Sequence, residues 1–293
     1  MIWLVLCILS STSIFVIFKS ISKKAIPALP VIVINYLIAS AIGFIVGGER
    51  IELLRLVESE WSYLALLIGV LFIIMFFILG KSTREAGISV STVASKMSVV
   101  IPISFSILVD PVDSLKPLKS IAIILAVLTV ILMIYRKGMT RKLHDAVIYP
   151  LFLFAGMGAV DALVKYAQLK FITNLELSYF TAILFLISFM TGLVILVSRK
   201  QYRLSLTKQA VFYWGILLGI VNFGSIYFLI RALNHTDPSG TQIDSSIIFG
   251  INNTAIVLLS VLTGLLLFRE KLNKTNYFGI GLSLITILLF SLA

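Results

Sequence analysis

ASKMSVVIPISFSIL, residues 94–108, places one lysine at the head of an otherwise uncharged and mostly apolar run. Nothing within the run can neutralise Lys96. What that means depends on the solvent. In a soluble protein the run is a core helix whose cation reaches water; in a membrane the same cation needs a polar hollow. The rest of the chain decides. Of 293 residues, 59% are hydrophobic and only 13% are charged, against about 25% charged in soluble domains. An ordinary core cannot hide that much apolar surface. Lipid is therefore the solvent, and the chain is counted in spans of about 20 apolar residues.

Ten runs qualify: 2–18, 30–46, 61–79, 88–109, 118–135, 146–169, 175–197, 210–233, 243–268 and 277–292. The expected fold class is an all-α integral membrane protein with ten transmembrane helices. A strand reading fails because the runs are continuously apolar and do not alternate with a polar lumen face. No gap is long enough for a folded soluble domain. The first run lacks the basic flank and small-residue cleavage site of a signal peptide and reads as a retained helix. Cys7 is the only cysteine, which excludes an intrachain disulfide. The net charge of +11 does not point to nucleic acid, since the basic residues fill short gaps without a stripe of stacking aromatics. Counted over alternate gaps, sixteen Lys and Arg, among them Lys19, Lys23, Lys24, Lys81 and Lys271, stand against five: Arg50, Arg55, Lys116, Lys119 and Lys170. The positive-inside rule puts the richer set in the cytoplasm and both termini outside.

The gap RKGMTRKLHD, residues 136–145, divides the chain into halves of five spans, 1–138 and 139–293. FFILGKSTREAG (76–87) is similar to YFLIRALNHTDPSG (227–240), and each half closes with a turn into a small-residue apolar helix. An odd number of spans per half makes the halves oppositely oriented. That is the arrangement of an inverted-repeat transporter with a midplane site between repeats. Two further stretches carry a family likeness. IFVIFK (14–19) ends the first span in a lysine, and LLLFREKLNKTNYFGIGL (265–282) joins helix, glutamate, loop and glycine. On these the chain resembles the EamA-type members of the drug/metabolite transporter superfamily over nearly its whole length. The match departs in two places: Arg269 stands where the family has a small residue before Glu270, and Asp110 or Asp113 stands displaced from the first-half glutamate. The resemblance implies two EamA-like repeats, export of amino acids or related metabolites, a bacterial inner membrane, and cytoplasmic termini. On this last point the charge count says the opposite.

Charged and amide residues inside the spans are the candidate site. A lysine at a helix centre costs about 2.5–3.5 kcal/mol on insertion scales. Lys96 either lines a polar cavity or snorkels from a span that begins later. Asp161 and Lys165, four apart, share a helix face; they are either a structural pair or a pair whose member a substrate or proton displaces. Asp244 follows an Asp237-Pro238 helix start. It either faces Lys96 across the repeat axis or is a helix-start acid. Asn222, Asn252, Asn253, Asn35 and Ser11 are cavity-lining or merely join helices. Adjacent Asn252 and Asn253 cannot both point one way. Pro102 breaks the backbone ladder just past Lys96. Gly215, Gly219, Gly279 and Gly281 are read as close-packing positions.

The expected substrate-binding set is thus Lys96, Asp161, Lys165, Asn222, Asp244, Asn252, Asn253, Ser11 and Asn35. There is no GxxxxGK[ST] loop; His144 and His235 form no metal cluster; no serine has a histidine at a useful spacing. These point away from an enzyme, a cofactor or a metal. The leading expectation is a secondary transporter of a small organic metabolite, acting as a monomer or weak homodimer in a lipid bilayer, with the proton as candidate coupling ion. A non-transporting membrane scaffold or sensor subunit is the alternative.

Overall fold

The structure is a computed structural model that describes residues 2–47, 61–109, 117–135, 141–171, 177–198, 200–206, 208–233 and 245–292. Those residues form helices α1 (Ile2–Lys23), α2 (Ala28–Gly47), α3 (Ser62–Glu85), α4 (Ile88–Met97), α5 (Val100–Val109) and α6 (Pro117–Ile134). They continue with α7 (Arg141–Lys170), α8 (Leu177–Ser198), α9 (Lys200–Ser205), α10 (Gln209–Leu233), α11 (Ser245–Leu266) and α12 (Lys274–Leu292). No strand occurs among the described residues. Eight helices there are long and apolar enough to cross a membrane, and two further apolar stretches, Ile251–Leu266 and Lys274–Phe290, are shorter. The protein is an all-helical membrane protein.

Local chemistry sets the helix ends. Pro27 precedes α2 and Pro117 opens α6, positions where a missing N–H costs nothing. Gly87 adopts φ 101° between α3 and α4, a left-handed turn that a Cβ would strain. The fourth run is a helix in two pieces. Pro102 has no N–H for the Ser98 carbonyl; that carbonyl takes the Ile101 N–H at 2.9 Å instead. The break between α4 and α5 falls at Ser98 and Val99, one proline-length behind Pro102 as expected.

Two apolar clusters organise the packing. The larger draws on α1, α2, α3, α7, α8 and α10, around Tyr36, Phe18, Phe180 and Phe185. The Tyr36 hydroxyl is satisfied by donating to the Phe72 carbonyl at 2.9 Å. The smaller joins α4, α6, α11 and α12 through Met97, Met133, Val257 and Ile280. Helix α2 packs on α8 and α10, α1 on α10 and α11, α3 on α7 and α8, α6 on α12, and α4 on α7 and α11. Gly215, Gly219 and Gly279 are close-packing sites as expected: a Cβ on Gly219 would meet the Asn35 carbonyl at 2.8 Å. Gly281 is not one, since nothing lies within 4 Å of its Cβ position. On α6, Ile121, Ile124, Val127, Leu128 and Ile131 form one exposed stripe. A bare apolar helix face of that length needs an apolar solvent.

Candidate functional site

Helix α4 brings Lys96 into the interior. Every residue from 86 to 94 is buried; Ser95 and Lys96 are the first on α4 to be half-exposed. Lys96 lies within electrostatic range of Cys7 on α1 and Asp161 on α7. Asp161 is exposed by surface area yet lies within electrostatic range of Lys96, which turns it toward α4. Its position on the helix agrees. The lipid-exposed residues of that stretch are Leu151, Phe152, Ala155 and Ala159, and Asp161 lies roughly 130° around the helix from them at 100° per residue. Phe154, Met157, Val164 and Lys165, all half-buried, share its face. Among the described residues neither Lys96 nor Asp161 makes an ion pair or side-chain hydrogen bond with the other; they are coupled through space.

Amides and a thiol surround this pair. The Cys7 sulfur lies 3.2 Å from Asn252 Oδ1 on α11 and 3.2 Å from the Ser225 carbonyl on α10. Its single hydrogen is shared between the two. Ser11, one turn along α1, is within hydrogen-bonding reach of the thiol. Asn222 is buried on α10, and its Nδ2 has no partner among the described residues. Asn252 is buried and bonded while Asn253 is half-buried, so the two neighbours do point differently. Asn35 is fully buried in the packing of α2 on α10, with Nδ2 donating to the Ile32 carbonyl at 3.4 Å. Lys165 is half-buried one turn beyond Asp161. Asp244 lies outside the described residues, as do Asp110, Asp113 and the Asp237-Pro238 turn. Of the expected set, Lys96, Ser11 and Asn252 lie around Cys7, and Asp161 lies within electrostatic range of Lys96. Asn35 belongs to a helix seam.

A second polar centre was not among the expected site residues, although both its ends lie in the stretches that carry the family likeness. Lys19 Nζ and Glu270 Oε1 are 3.2 Å apart, with side chains only 16% and 8% exposed. The same carboxylate accepts the Ile88 N–H at 2.6 Å, the Ser89 N–H at 3.2 Å and the Ser89 hydroxyl at 3.0 Å. It therefore caps the N-terminus of α4, where an anion is favoured by orphan amides and the helix dipole together. Lys19 also donates to the Thr83 carbonyl at 3.0 Å. Space for the carboxylate is made by Gly87 and Gly264, whose Cβ positions would lie 2.6 and 2.7 Å from its oxygens. Arg269 reaches the required turn at φ 53°, a conformation in which a side chain costs about 1–2 kcal/mol. The small residue expected there by resemblance would avoid that cost.

Chemically, the described interior brings Lys96, Asp161, Cys7 and Asn252 into one region of the bundle. That suits reversible binding of a small polar or charged molecule. Among the described residues no group of three His, Cys, Asp or Glu is placed to hold a metal. An apolar groove of about 400 Å³ lies outside this region, between Val5, Ile8 and Leu9 of α1 and Ala255, Leu258, Leu259 and Leu262 of α11. It has no polar lining and is a seam toward lipid.

No family model matches the sequence. The chain is similar to an uncharacterized protein of Haemophilus influenzae, 27% identical over 287 residues that cover 96% of this chain and 94% of the relative. A protein of known crystal structure shares the fold over 98% of this chain and 97% of its own, with a TM-score of 0.55 at 15% identity.

Proposed function

We propose that the protein is a secondary transporter, an exporter of a small organic metabolite such as an amino acid or related compound. It works by alternating access between two inverted five-helix repeats in a bacterial inner membrane. The observation that carries this reading is that α4, with Lys96 from residues 1–138, packs on α7, with Asp161 from residues 139–293, and that the two charges lie within electrostatic range. Cys7 and Asn252 meet across the same divide. A polar site built jointly by two halves is what a midplane transport site requires.

The packing supports the repeat. Equate α1 with α7, α2 with α8, α3 with α10, α4 plus α5 with α11, and α6 with α12. The most extensive cross-half contacts then have counterparts: α1 on α10 matches α7 on α3, α10 on α2 matches α3 on α8, and α1 on α11 matches α7 on α4 and α5. The pairs α2–α8, α4–α11 and α6–α12 map onto themselves. Ten spans also fit the bonding at one end of the bundle. Lys19 and Glu270 meet there beside Ile88, and Asn276 Nδ2 donates to the Met133 carbonyl at 2.8 Å. Those ends belong to the first, ninth, fourth, tenth and fifth spans, which ten crossings would place on one face.

The test is counterflow in proteoliposomes with a panel of labelled amino acids and other small metabolites, with and without a proton gradient. The reading expects flux for at least one compound in the native protein. It expects none in Lys96→Ala or Asp161→Asn at normal folding. No flux for any compound, or native rates in both variants, would return the protein to the scaffold or sensor reading.

A further inference from the structure

Glu270 binds four donors from two places at once: Lys19 on α1 and the Ser89 hydroxyl and two backbone amides at the head of α4. Through Lys19 the knot extends to the Thr83 carbonyl on α3. One carboxylate on the turn between α11 and α12 thus gathers helices α1, α3 and α4 at a single end of the bundle. Beyond it the wall is solid. Residues 86 to 94 are buried without exception, and exposure begins only at Ser95 and Lys96, with Asp161 exposed opposite. Between Lys96 and the Lys19 face, α4 is buried throughout.

We infer that the Lys19–Glu270 pair, with the α4 N-terminus it grips, is a latch that shuts the interior around Lys96 and Cys7 toward the Lys19 face and must release for that face to open. The bonding is suited to this. Charge-assisted hydrogen bonds are strong when made, yet each group can exchange its partner for water when exposed. An apolar seal has no such substitute. The latch also grips the helix that carries the interior cation. Lys96 is eight residues beyond Ile88, about 12 Å along a stiff helix, so a displacement at Lys96 is delivered to the gripped end. The purpose of the latch rests on the transporter reading; the closure itself does not.

Cys7, the only cysteine, reports on the closure because it is fully buried beside Lys96. The experiment uses the full chain in vesicles of known orientation, with a membrane-impermeant maleimide added on the Lys19 face. The native protein labels slowly. Lys19→Met, which keeps the stem and removes the charge, and Glu270→Gln are expected to label about tenfold faster from that face, a shift of about 1.4 kcal/mol. Lys19→Arg is expected to restore slow labelling. Ser89→Ala removes one bond only and is the milder variant if the others do not fold; it should give a smaller rise from the same face. Native labelling rates in folded variants overturn the latch. So does an equal rise from both faces, which would mean general loosening. Changed labelling in a protein that moves no compound keeps the latch and removes the transporter reading.

Discussion

Two lysines in this molecule meet carboxylates from distant parts of the chain, in opposite ways. Lys19 touches Glu270 at 3.2 Å, and that carboxylate is completed by three further donors. Lys96 and Asp161 sense one another only through space, on walls that leave both partly exposed. The first pair has spent its hydrogen-bonding capacity on the protein, which makes it a structural joint. The second keeps donors and acceptors unspent, which is how a site for a visiting molecule differs from a brace. Removing one member should therefore damage stability at the first pair and binding at the second.

The sharpest break in this contrast is Lys96→Ala. Flux should fall to background while the melting temperature in detergent changes little, since a half-exposed cation leaves no crowded partner behind. A large loss of stability instead would make Lys96 a second brace. Glu270→Ala comes next. It orphans Lys19 and the α4 amides, and loss of one partner of a largely buried pair costs about 3 kcal/mol. Chemical or thermal denaturation in detergent checks this. Gly87→Ala sharpens the point without removing any charge. Its φ of 101° and a Cβ 2.6 Å from Glu270 Oε1 predict a loss of about 2 kcal/mol, and Gly281→Ala, with open space around it, serves as the neutral control. The smallest effect runs the other way. Arg269→Gly relieves a left-handed side chain and should stabilise by about 1 kcal/mol, seen as a small rise in melting temperature.

The eight long apolar helices were legible because lipid imposes length and apolarity directly on sequence. The broken fourth helix was legible because Pro102 acts on a residue at fixed distance behind it. Cross-helix partners were not. The spacing of Asp161 and Lys165 states that they share a face, and says nothing about which residue of another helix lies opposite. Lys96 turned out to lie within electrostatic range of Cys7 and Asp161, neighbours no periodicity could select. Asp244, the partner expected for it, is outside the described residues. The Lys19–Glu270 joint was hidden for the same reason. Both residues sit at span ends among many basic neighbours, where an acid in R-E-K reads as ordinary loop charge. The available signal was that Gly87 ends one helix just ahead of another, leaving an amide terminus in need of an anion.

The break at Ser98 and Val99 divides the fourth crossing into a part fastened at its base and a ten-residue part, α5, that packs mainly on α7. A rod clamped at one end and jointed in the middle bends easily only beyond the joint. The two ends of the crossing are thus mechanically unequal: the far end can swing while the near end stays shut. In the proposed transporter, entry and exit by the two sides of the membrane should then run at different speeds, with the clamped side as the slower door.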